Sequence, residues 1–298
     1  METSKTKFSQ KHPLIFGFML IIAAVVAFML AMAVFNYLFF DGPRFRAEPK
    51  LGVVNVSGMI SDSRDIVEWT RELQEDDAVK GVLVRINSPG GVVAPSQEIY
   101  QAFSNLAQEK PVVASMGAVA ASGGYHAASP AHEIVANPGS LTASIGVKAT
   151  LANVQELMDK LGIEDEVVYS GEFKDADSIT RPMTQEERKY FQALVDDMHE
   201  QFVEDVARGR DMELDRVREL ADGRAMTGRQ AYQAGLVDEL GGRHHALDIL
   251  REMAEIEKEV KLLEGPEKDI SLLRWILSEF SLSLGDKVLG PRWIFTYE

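Results

Sequence analysis

The 298-residue chain contains no cysteine. A disulfide framework, a thiolate nucleophile and a cysteine-ligated zinc site are therefore excluded. Its six histidines form no HExxH pattern, so metal-dependent chemistry is not predicted and no cofactor is expected. Basic residues are also scarce, since 31 lysines and arginines stand against 46 aspartates and glutamates, and the net charge is −15. This acidic balance argues against nucleic acid as the main partner, because phosphate binding requires basic patches.

One stretch near the start of the chain lacks charge altogether. Residues 13–40 hold no charged side chain, and their apolar run exceeds the roughly 20 residues that span a bilayer. A cleavable signal peptide is the alternative, since Ala31-Met32-Ala33 resembles a cleavage site. The run is too long for a signal peptide and continues past that site. We therefore predict a retained, single-pass membrane anchor over residues 14–40, with charge only mildly favouring a short cytoplasmic tail before it.

The anchor sets the predicted division of the chain. We expect a short tail (1–13), the anchor (14–40), a polar linker (41–50), one folded domain (51–260) and a C-terminal tail (261–298). No internal repeat is visible, so the folded domain holds one copy of its unit. Within the last segment, residues 270–280 have an amphipathic pattern, which is typical of a segment that packs on a core or a partner.

The folded domain alternates between strand and helix patterns. Strands are predicted over 51–56, 81–86, 111–116, 132–136, 166–169 and 235–238. Helices are predicted over 64–75, 95–109, from 122, and over 151–161, 184–208, 215–221, 228–234 and 244–258. Thr184 and Glu187 have the spacing of a capping box. Such alternation, with strands nearly continuous in valine, isoleucine and leucine, is typical of an α/β fold whose mainly parallel sheet is covered on both faces.

Two small-residue segments follow neighbouring strand patterns. Asn87-Ser88-Pro89-Gly90-Gly91 follows the strand at 81–86, and Ala120-Ala121-Ser122-Gly123-Gly124 follows the strand at 111–116. Taken alone, the first is a tight turn and the second a helix cap. In a parallel sheet, however, the carboxyl ends of strands meet at one edge, so the two segments can converge on one carbonyl group. Turn amides would then hold the oxyanion while the serine attacks, which predicts an acyl-transfer site.

The segments RINSPGG, SMGAVAASGGY, SLTASIGV and GEFKDADS, in this order within residues 50–260, resemble the signal peptide peptidase A family of membrane-anchored serine proteases. The resemblance implies a ClpP/crotonase-like α/β fold and a Ser-Lys catalytic dyad. It identifies Ser122 as the nucleophile, Lys174 as the general base and Ser144 as the hydrogen-bond partner of the lysine. It also identifies Gly91 as an oxyanion-hole donor, and the Gly123 amide is the candidate second donor.

The resemblance also implies partners and a location. Family members act on released signal peptides and other unfolded polypeptides, and short members form rings, so a peptide substrate and a homo-oligomer are expected. The implied location is the bacterial cytoplasmic membrane, with an extracytoplasmic catalytic domain. Long members carry two tandem domains and take the serine and the lysine from different halves. Here both residues lie in one unit, so the lysine loop could serve, or need, a neighbouring subunit.

A lysine base has to meet a physical condition. The reference pKa of lysine is ~10.4, and lowering it to ~7 costs about 4.6 kcal/mol. Burial is the obvious source of this shift, because desolvation disfavours the ammonium form. We therefore predict that Lys174 Nζ is buried close to Ser122 Oγ and Ser144 Oγ. Glu172 and Asp175 should point away from it, since a paired carboxylate would raise the lysine pKa.

Three other classes of protein remain as alternatives. No histidine lies within residues 133–198, where a ClpP-like base would fall, but Ser122, Asp238 and His244 or His245 follow the chain order of an α/β-hydrolase triad. The glycine that the nucleophile elbow needs two residues before the serine is an alanine here. A crotonase-like acyl-CoA enzyme would not need a nucleophilic serine. A non-catalytic membrane scaffold would not react with serine-directed reagents.

Overall fold

The computed structural model describes residues 12–39, 48–258, 260–266 and 295–297. The chain divides into two units between residues 48 and 49. The described part of the first unit contains the helix α1 (Pro13–Phe39). By length and composition, its stretch Leu14–Phe35 could cross a membrane, with a mean hydropathy of 2.9. The remainder of the predicted anchor and most of the predicted linker, residues 40–47, lie outside the described residues.

The second unit alternates strands and helices. Its described helices are α2 (Arg64–Glu75), α3 (Val93–Ala107), α4 (Gly123–Ala128), α5 (Gln155–Leu161), α6 (Gln185–Gly209), α7 (Leu214–Leu220), α8 (Gly228–Ala234) and α9 (Arg243–Met253). Its described strands are β1 (Lys50–Ser57), β2 (Val79–Ser88), β3 (Gly91–Val92), β4 (Val112–Ala121), β5 (Glu133–Ala136), β6 (Leu141–Ala143), β7 (Lys148–Ala149), β8 (Ala225–Thr227), β9 (Glu239–Leu240), β10 (Leu262–Gly265) and β11 (Phe295–Tyr297).

The main sheet is almost entirely parallel. Its strands follow the order β10-β1-β2-β4-β5-β9, with β6 parallel to the end of β4 and β8 antiparallel to β6. A second, small antiparallel sheet has β11 between β3 and β7. The expected α/β architecture with a mainly parallel sheet is thus confirmed, and the ends of β2 and β4 lie side by side.

Both faces of the main sheet are covered, which explains the continuous apolar runs in its strands. On one face, Leu51, Leu83 and Val113 pack with Leu247 and Leu250 of α9. Alternate residues of the same strands point to the other face, where the larger apolar cluster includes residues of α3, α4 and α6. The core therefore holds β2 and β4 rigidly up to the residues that follow them.

Local signals predicted several elements closely. Helix α2 has the predicted bounds, and the capping box of α6 is confirmed, since Thr184 and Glu187 bond each other's backbone amides. Strands β2 and β4 extend beyond their predicted ends, to Ser88 and Ala121. As a result, the Gly-Gly turn and Ser122 follow directly from paired strands.

Two predicted strands are wrong. Residues 166–169 form no strand, because their side chains are exposed and no described strand lies beside them to pair with. The strand predicted over 235–238 instead spans Glu239–Leu240, because Gly235 adopts the left-handed conformation that ends α8. β10 and β11 extend the pairing of the second unit past residue 260. The amphipathic segment 270–280 lies outside the described residues.

Candidate active site

Ser122 lies at the junction of β4 and α4 with an unusual backbone. Its φ is 53° and its ψ is −119°, a conformation that costs energy for a residue with a Cβ. The strand pairing continues through it, since its N–H donates to the Ala143 carbonyl at 2.7 Å and its carbonyl accepts from the His126 N–H at 2.8 Å. Ser122 is thus held in a strained position by bonds on both sides.

The Ser122 hydroxyl has no structural partner. Its Oγ is buried, makes no cap hydrogen bond to α4, and has no hydrogen-bond partner among the described residues. A buried hydroxyl without a partner is unfavourable and calls for an explanation. The helix-cap interpretation is therefore wrong for this serine, and its oxygen is available for chemistry.

The Gly-Gly turn packs backbone to backbone against Ser122. Gly90 has a φ of +105°, and a Cβ added there would lie 2.7 Å from the Gly123 nitrogen and 3.1 Å from the Ser122 Cβ. A Cβ added to Gly123 would lie 3.3 Å from the Gly91 nitrogen. Only glycine fits such an approach. The two segments therefore converge as the sequence predicts, and the Gly91 and Gly123 amides lie beside the serine.

Two polar side chains that the sequence reasoning missed fix this turn. Ser88 Oγ accepts the Gly90 N–H at 3.1 Å. Asn87 Oδ1 accepts the N–H groups of Ala118 and Val119 at 3.1 and 3.3 Å, and so ties the turn to β4. Asparagine and serine often bond nearby backbone groups in turns, which is the signal that could have identified them.

Ser144 lies at the same edge of the sheet, one residue beyond β6. The register pairs Ala121 with Ala143, so the residues that follow each of them, Ser122 and Ser144, are brought to one place. Ser144 has a φ of 54°, and its Oγ donates to the Gly223 carbonyl at 3.1 Å. Its hydroxyl is thus bonded to a backbone oxygen rather than to a lysine.

Lys174 is exposed, so the predicted burial of its side chain is wrong for the single chain. It lies in a turn, where its N–H donates to the Gly171 carbonyl at 3.2 Å. Among the described residues its amine has no hydrogen bond or ion pair. The physical reason is local: the segment 150–183, which we call the lysine lobe, buries only Ala176. Among the described residues, Lys174 therefore makes no hydrogen bond to the hydroxyl of Ser122 or of Ser144.

The lysine lobe presents apolar side chains to solvent. Seven of the eleven exposed large hydrophobic residues described in the second unit belong to it: Leu157, Leu161, Ile163, Val167, Val168, Tyr169 and Phe173. Val168 is 94% exposed. Contiguous apolar groups at a surface mark an interaction site.

An arginine anchors the base of the lobe. Arg181 bonds the Asp175 carboxylate at 3.0 Å and the two oxygens of Glu187 at 2.6 and 3.0 Å. The hydrogen bonds from Arg181 lower the pKa of Glu187 to about 2. Glu187 lies in the first turn of α6. The ion pair with Arg181 therefore connects the C-terminal end of the lysine lobe to a helix that packs on the core. The Asp175 carboxylate accepts a hydrogen bond from the Arg181 guanidinium and therefore points toward Arg181.

The histidines do not form the alternative triad. Asp238 is bound by Arg210 and by the Ile134 N–H, while His244 and His245 are exposed. His126 is buried, with its Nε2 2.9 Å from an Asp205 carboxylate oxygen, and burial lowers its pKa. It makes no hydrogen bond to the Ser122 hydroxyl, which has no partner in the described part of the chain. The arrangement thus gives no support to a Ser-Asp-His enzyme.

Two protein-family models match the chain. That of peptidase family S49 matches residues 104–257, and that of Clp protease matches residues 54–143. The chain belongs to peptidase family S49. Since the S49 match begins before Ser122 and ends after Lys174, it contains both residues. The predicted resemblance to signal peptide peptidase A and the ClpP-like fold are thereby confirmed, and this S49 member is a peptidase.

Relatives of different length support this assignment. A Synechocystis protein provisionally named a protease is 39% identical over 226 residues, which cover 76% of this chain and 82% of that protein. A protein of Enterococcus faecium provisionally named signal peptide peptidase SppA is 37% identical, covering 72% of this chain and 65% of that protein. The chloroplastic serine protease SPPA of Arabidopsis thaliana is 33% identical and matches 80% of this chain, but the match spans only 35% of that protein.

Proposed function

We propose that this S49 peptidase is a membrane-anchored serine endopeptidase that uses a Ser122–Lys174 dyad. The observation that carries the proposal is the Ser122 hydroxyl, which is buried, strained in its backbone and without a partner in the described residues. It lies beside a Gly-Gly turn that only glycine fits. These are the properties of a nucleophile held next to an oxyanion hole.

The proposed reaction has two halves. The neutral amine of Lys174 takes the Ser122 proton as Oγ attacks the peptide carbonyl carbon, and the Gly91 and Gly123 N–H groups stabilise the oxyanion. The ammonium then protonates the leaving amine as the C–N bond breaks, which leaves an acyl-serine. Water, deprotonated by the same amine, attacks the ester and releases the acid and the free serine. Ser144 would orient the amine once the lysine is in place. No cofactor takes part in these steps.

Assembly of copies would supply the missing half of the site. The exposed apolar groups of the lysine lobe would be buried against a second copy of this chain, giving a homo-oligomer. That burial would strip water from Lys174, which is the condition for a free amine near neutral pH. In this way a loop that is exposed in one chain becomes a general base in the assembly.

The substrates follow from the family and the anchor. We propose that the chain cleaves released signal peptides and other unfolded polypeptides, because an extended peptide can reach a serine at a sheet edge. Helix α1 would hold it in the bacterial cytoplasmic membrane, with the second unit on the extracytoplasmic side. The net charge of −15 makes nucleic acid an unsuitable partner.

The deciding experiment is covalent labelling of the full chain with a fluorophosphonate, followed by peptide mapping. Ser122 should carry the adduct in the wild type, and both Ser122→Ala and Lys174→Ala should abolish it while the chain stays folded. A chain that hydrolyses unfolded protein without labelling at Ser122 would contradict the proposal. A chain that neither labels nor hydrolyses would favour the membrane scaffold.

A further inference from the structure

Strand β4 carries a bulge shortly before the proposed nucleophile. In its pairing with β2, the pair Ile86–Met116 is followed by the pair Ser88–Ala120. One residue of β2 therefore lies opposite three residues of β4, Gly117–Val119, which we call the β4 bulge. Bulges bend a strand and are frequent next to active sites, where they redirect a side chain. The position of the β4 bulge therefore suggests a role in placing the serine that follows the strand.

The β4 bulge is also the point at which β4 changes its neighbour. Before the bulge, β4 pairs in parallel with β5, and from Val119 to Ala121 it pairs in parallel with β6. Ser144 lies one residue beyond β6, so this change of partner brings the end of β4 to the edge that holds Ser144. A straight β4 that continued beside β5 would carry Ser122 away from that edge. The bulge thus determines where Ser122 lies.

Asn87, the residue of β2 opposite the β4 bulge, bonds its N–H groups. Its Oδ1 accepts from the N–H groups of Ala118 and Val119 at 3.1 and 3.3 Å. A Cβ added to Gly117 would lie 2.8 Å from this Oδ1 and 3.0 Å from the Ile86 carbonyl oxygen, so a larger residue there would displace the asparagine. One side-chain oxygen thus replaces the backbone acceptors that a regular strand would have supplied to both groups.

Two further side chains bond the carbonyl groups of the same region. Arg85, also on β2, donates from Nη1 to the Met116 carbonyl at 3.0 Å and to Ser115 Oγ at 2.9 Å. Ser140, which is buried just before β6, donates from Oγ to the Gly117 carbonyl at 2.6 Å. The β4 bulge is therefore held by side chains from both strands that flank it, which is the behaviour of a fixed element rather than a loose loop.

We propose that Asn87 is a positioning residue of this peptidase: by holding the β4 bulge, it sets the register in which Ser122 meets the amides of the oxyanion hole. The proposal rests on the proposed function of Ser122. Asn87 and Ala118 are exposed, so water can bond the N–H groups of the bulge when the asparagine is lost. Folding therefore depends little on these two bonds. Catalysis depends on them strongly, because a displacement of about 1 Å at the reacting atom can lower a rate by about 100-fold.

The first test compares Asn87→Leu with Asn87→Asp in the full chain. Leucine has a similar size but no acceptor, so kcat on casein, an unfolded protein, and the rate of fluorophosphonate labelling at Ser122 should each fall at least about tenfold. KM should change by less than about twofold, since the bulge acts on the nucleophile and not on substrate binding. Aspartate keeps an acceptor oxygen and should retain most of the activity. Asn105→Leu removes an exposed asparagine whose Oδ1 accepts from Gln101 at 2.8 Å on α3, and it is the matched control. A lower thermal midpoint of Asn87→Leu with an unchanged kcat would overturn the proposal.

The second test does not require the serine to react. Hydrogen–deuterium exchange, followed by mass spectrometry, is compared in Ser122→Ala and Ser122→Ala/Asn87→Leu. Exchange at residues 117–121 should be at least about fivefold faster in the double variant, because two N–H groups of the β4 bulge lose their acceptor and the strand end loosens. Exchange in β5, which pairs with β4 before the bulge, should not change. Equal exchange at residues 117–121 in the two proteins would show that Asn87 does not hold the bulge.

The two tests separate the inference from the function on which it rests. Faster exchange in the bulge of the double variant, without labelling of Ser122 in any protein, would refute the proposed nucleophile and leave the hold of Asn87 on the bulge intact. Labelling of Ser122 at the same rate in the wild type and Asn87→Leu would refute the positioning role and leave the peptidase mechanism intact.

Discussion

The two halves of the candidate site differ in how they are built. Ser122 and the Gly-Gly turn follow directly from paired core strands, and strand pairing and backbone hydrogen bonds among the described residues position them. Lys174 lies in a lobe that buries only Ala176 and leaves its amine in solvent. One half is preformed, and the other is incomplete in the single chain.

The two halves of the site have different physical requirements. A nucleophile and an oxyanion hole need fixed geometry, which strands of a packed sheet provide. A lysine base needs dehydration, which an exposed lobe can gain only by binding something. A peptidase assembled in this way would remain latent as a single chain and become active on self-association.

Ser122→Ala should have the largest effect on the preformed half. Turnover of an unfolded protein should fall by roughly 10³-fold or more, while the thermal midpoint should hardly change, because Ser122 Oγ has no partner among the described residues. Ser129→Ala is the matched control, since it removes a buried hydrogen bond of 2.8 Å to the His126 carbonyl. It should lower stability by about 1 kcal/mol and keep activity. A Ser122→Ala variant that keeps its activity would contradict the assignment of Ser122 as the nucleophile.

Lys174→Met tests the incomplete half in the same assay. The loss of a general base should lower turnover by roughly 10²- to 10⁴-fold. Lys160→Met changes another exposed lysine of the lobe, in the last turn of α5, and should have no effect. If the two variants lose the same activity, the lobe matters through its charge and not through a base at residue 174.

Val168→Glu should separate assembly from folding. A carboxylate in place of a side chain that is 94% exposed would oppose burial between copies. Light scattering should show a smaller particle, and turnover should fall by about tenfold or more as the association constant drops. Tyr232→Glu, at an exposed site on α8, should change neither. A fully active Val168→Glu monomer would contradict the proposed completion of the site by a second copy.

Gly90→Ala probes the close approach of turn and serine. The new methyl group would meet the Tyr297 carbonyl and the Gly123 nitrogen at a φ of +105°, so stability should fall by about 1–3 kcal/mol and activity should be lost. Gly139→Ala, where nothing lies within 4 Å of an added Cβ, should be neutral. Chemical denaturation of both variants measures the difference.

Glu187→Gln should show the smallest effect, on the bond between lobe and core. At neutral pH the variant should be less stable by about 1 kcal/mol, because Arg181 is partly exposed. The folded-state pKa of Glu187 lies near 2, below its usual 4.5. Its contribution is therefore full above pH 4.5 and is lost as the pH falls from there toward 2. Thermal midpoints of the two proteins should converge over this range; a constant gap would show that the Arg181 ion pair is not its source.

Much of the scaffold could be predicted from local patterns. The bounds of α2 and the Thr184–Glu187 capping box depend on residues close together in the chain, and both are found as expected. The predicted strand at 166–169 failed for the opposite reason: its apolar residues have no described strand to pair with and remain in solvent. A short apolar run indicates that a segment can form a strand, but it does not indicate whether another strand lies close enough to pair with it.

The same distinction between predictable and unpredictable features applies to the candidate site. Small residues at two strand ends were sufficient to predict that Gly91, Ser122 and Gly123 meet, because parallel topology brings those ends to one edge. The insertion of β11 between β3 and β7 could not be predicted, since it joins segments about 150 to 200 residues apart with only three residues of strand.

By itself, the sequence determined the α/β scaffold, the membership of family S49 and the residues that gather around Ser122. These features depend on hydrophobic periodicity, turn residues and the order of motifs, all of which can be read from residues close together in the chain. The tertiary structure alone decided that the Ser122 hydroxyl is buried without a partner, that Lys174 is exposed, and that Tyr297 is buried. Burial and strand pairing depend on which distant segments pack together. This packing is the sum of many weak contacts between residues far apart in the chain, so it is defined only in the folded molecule.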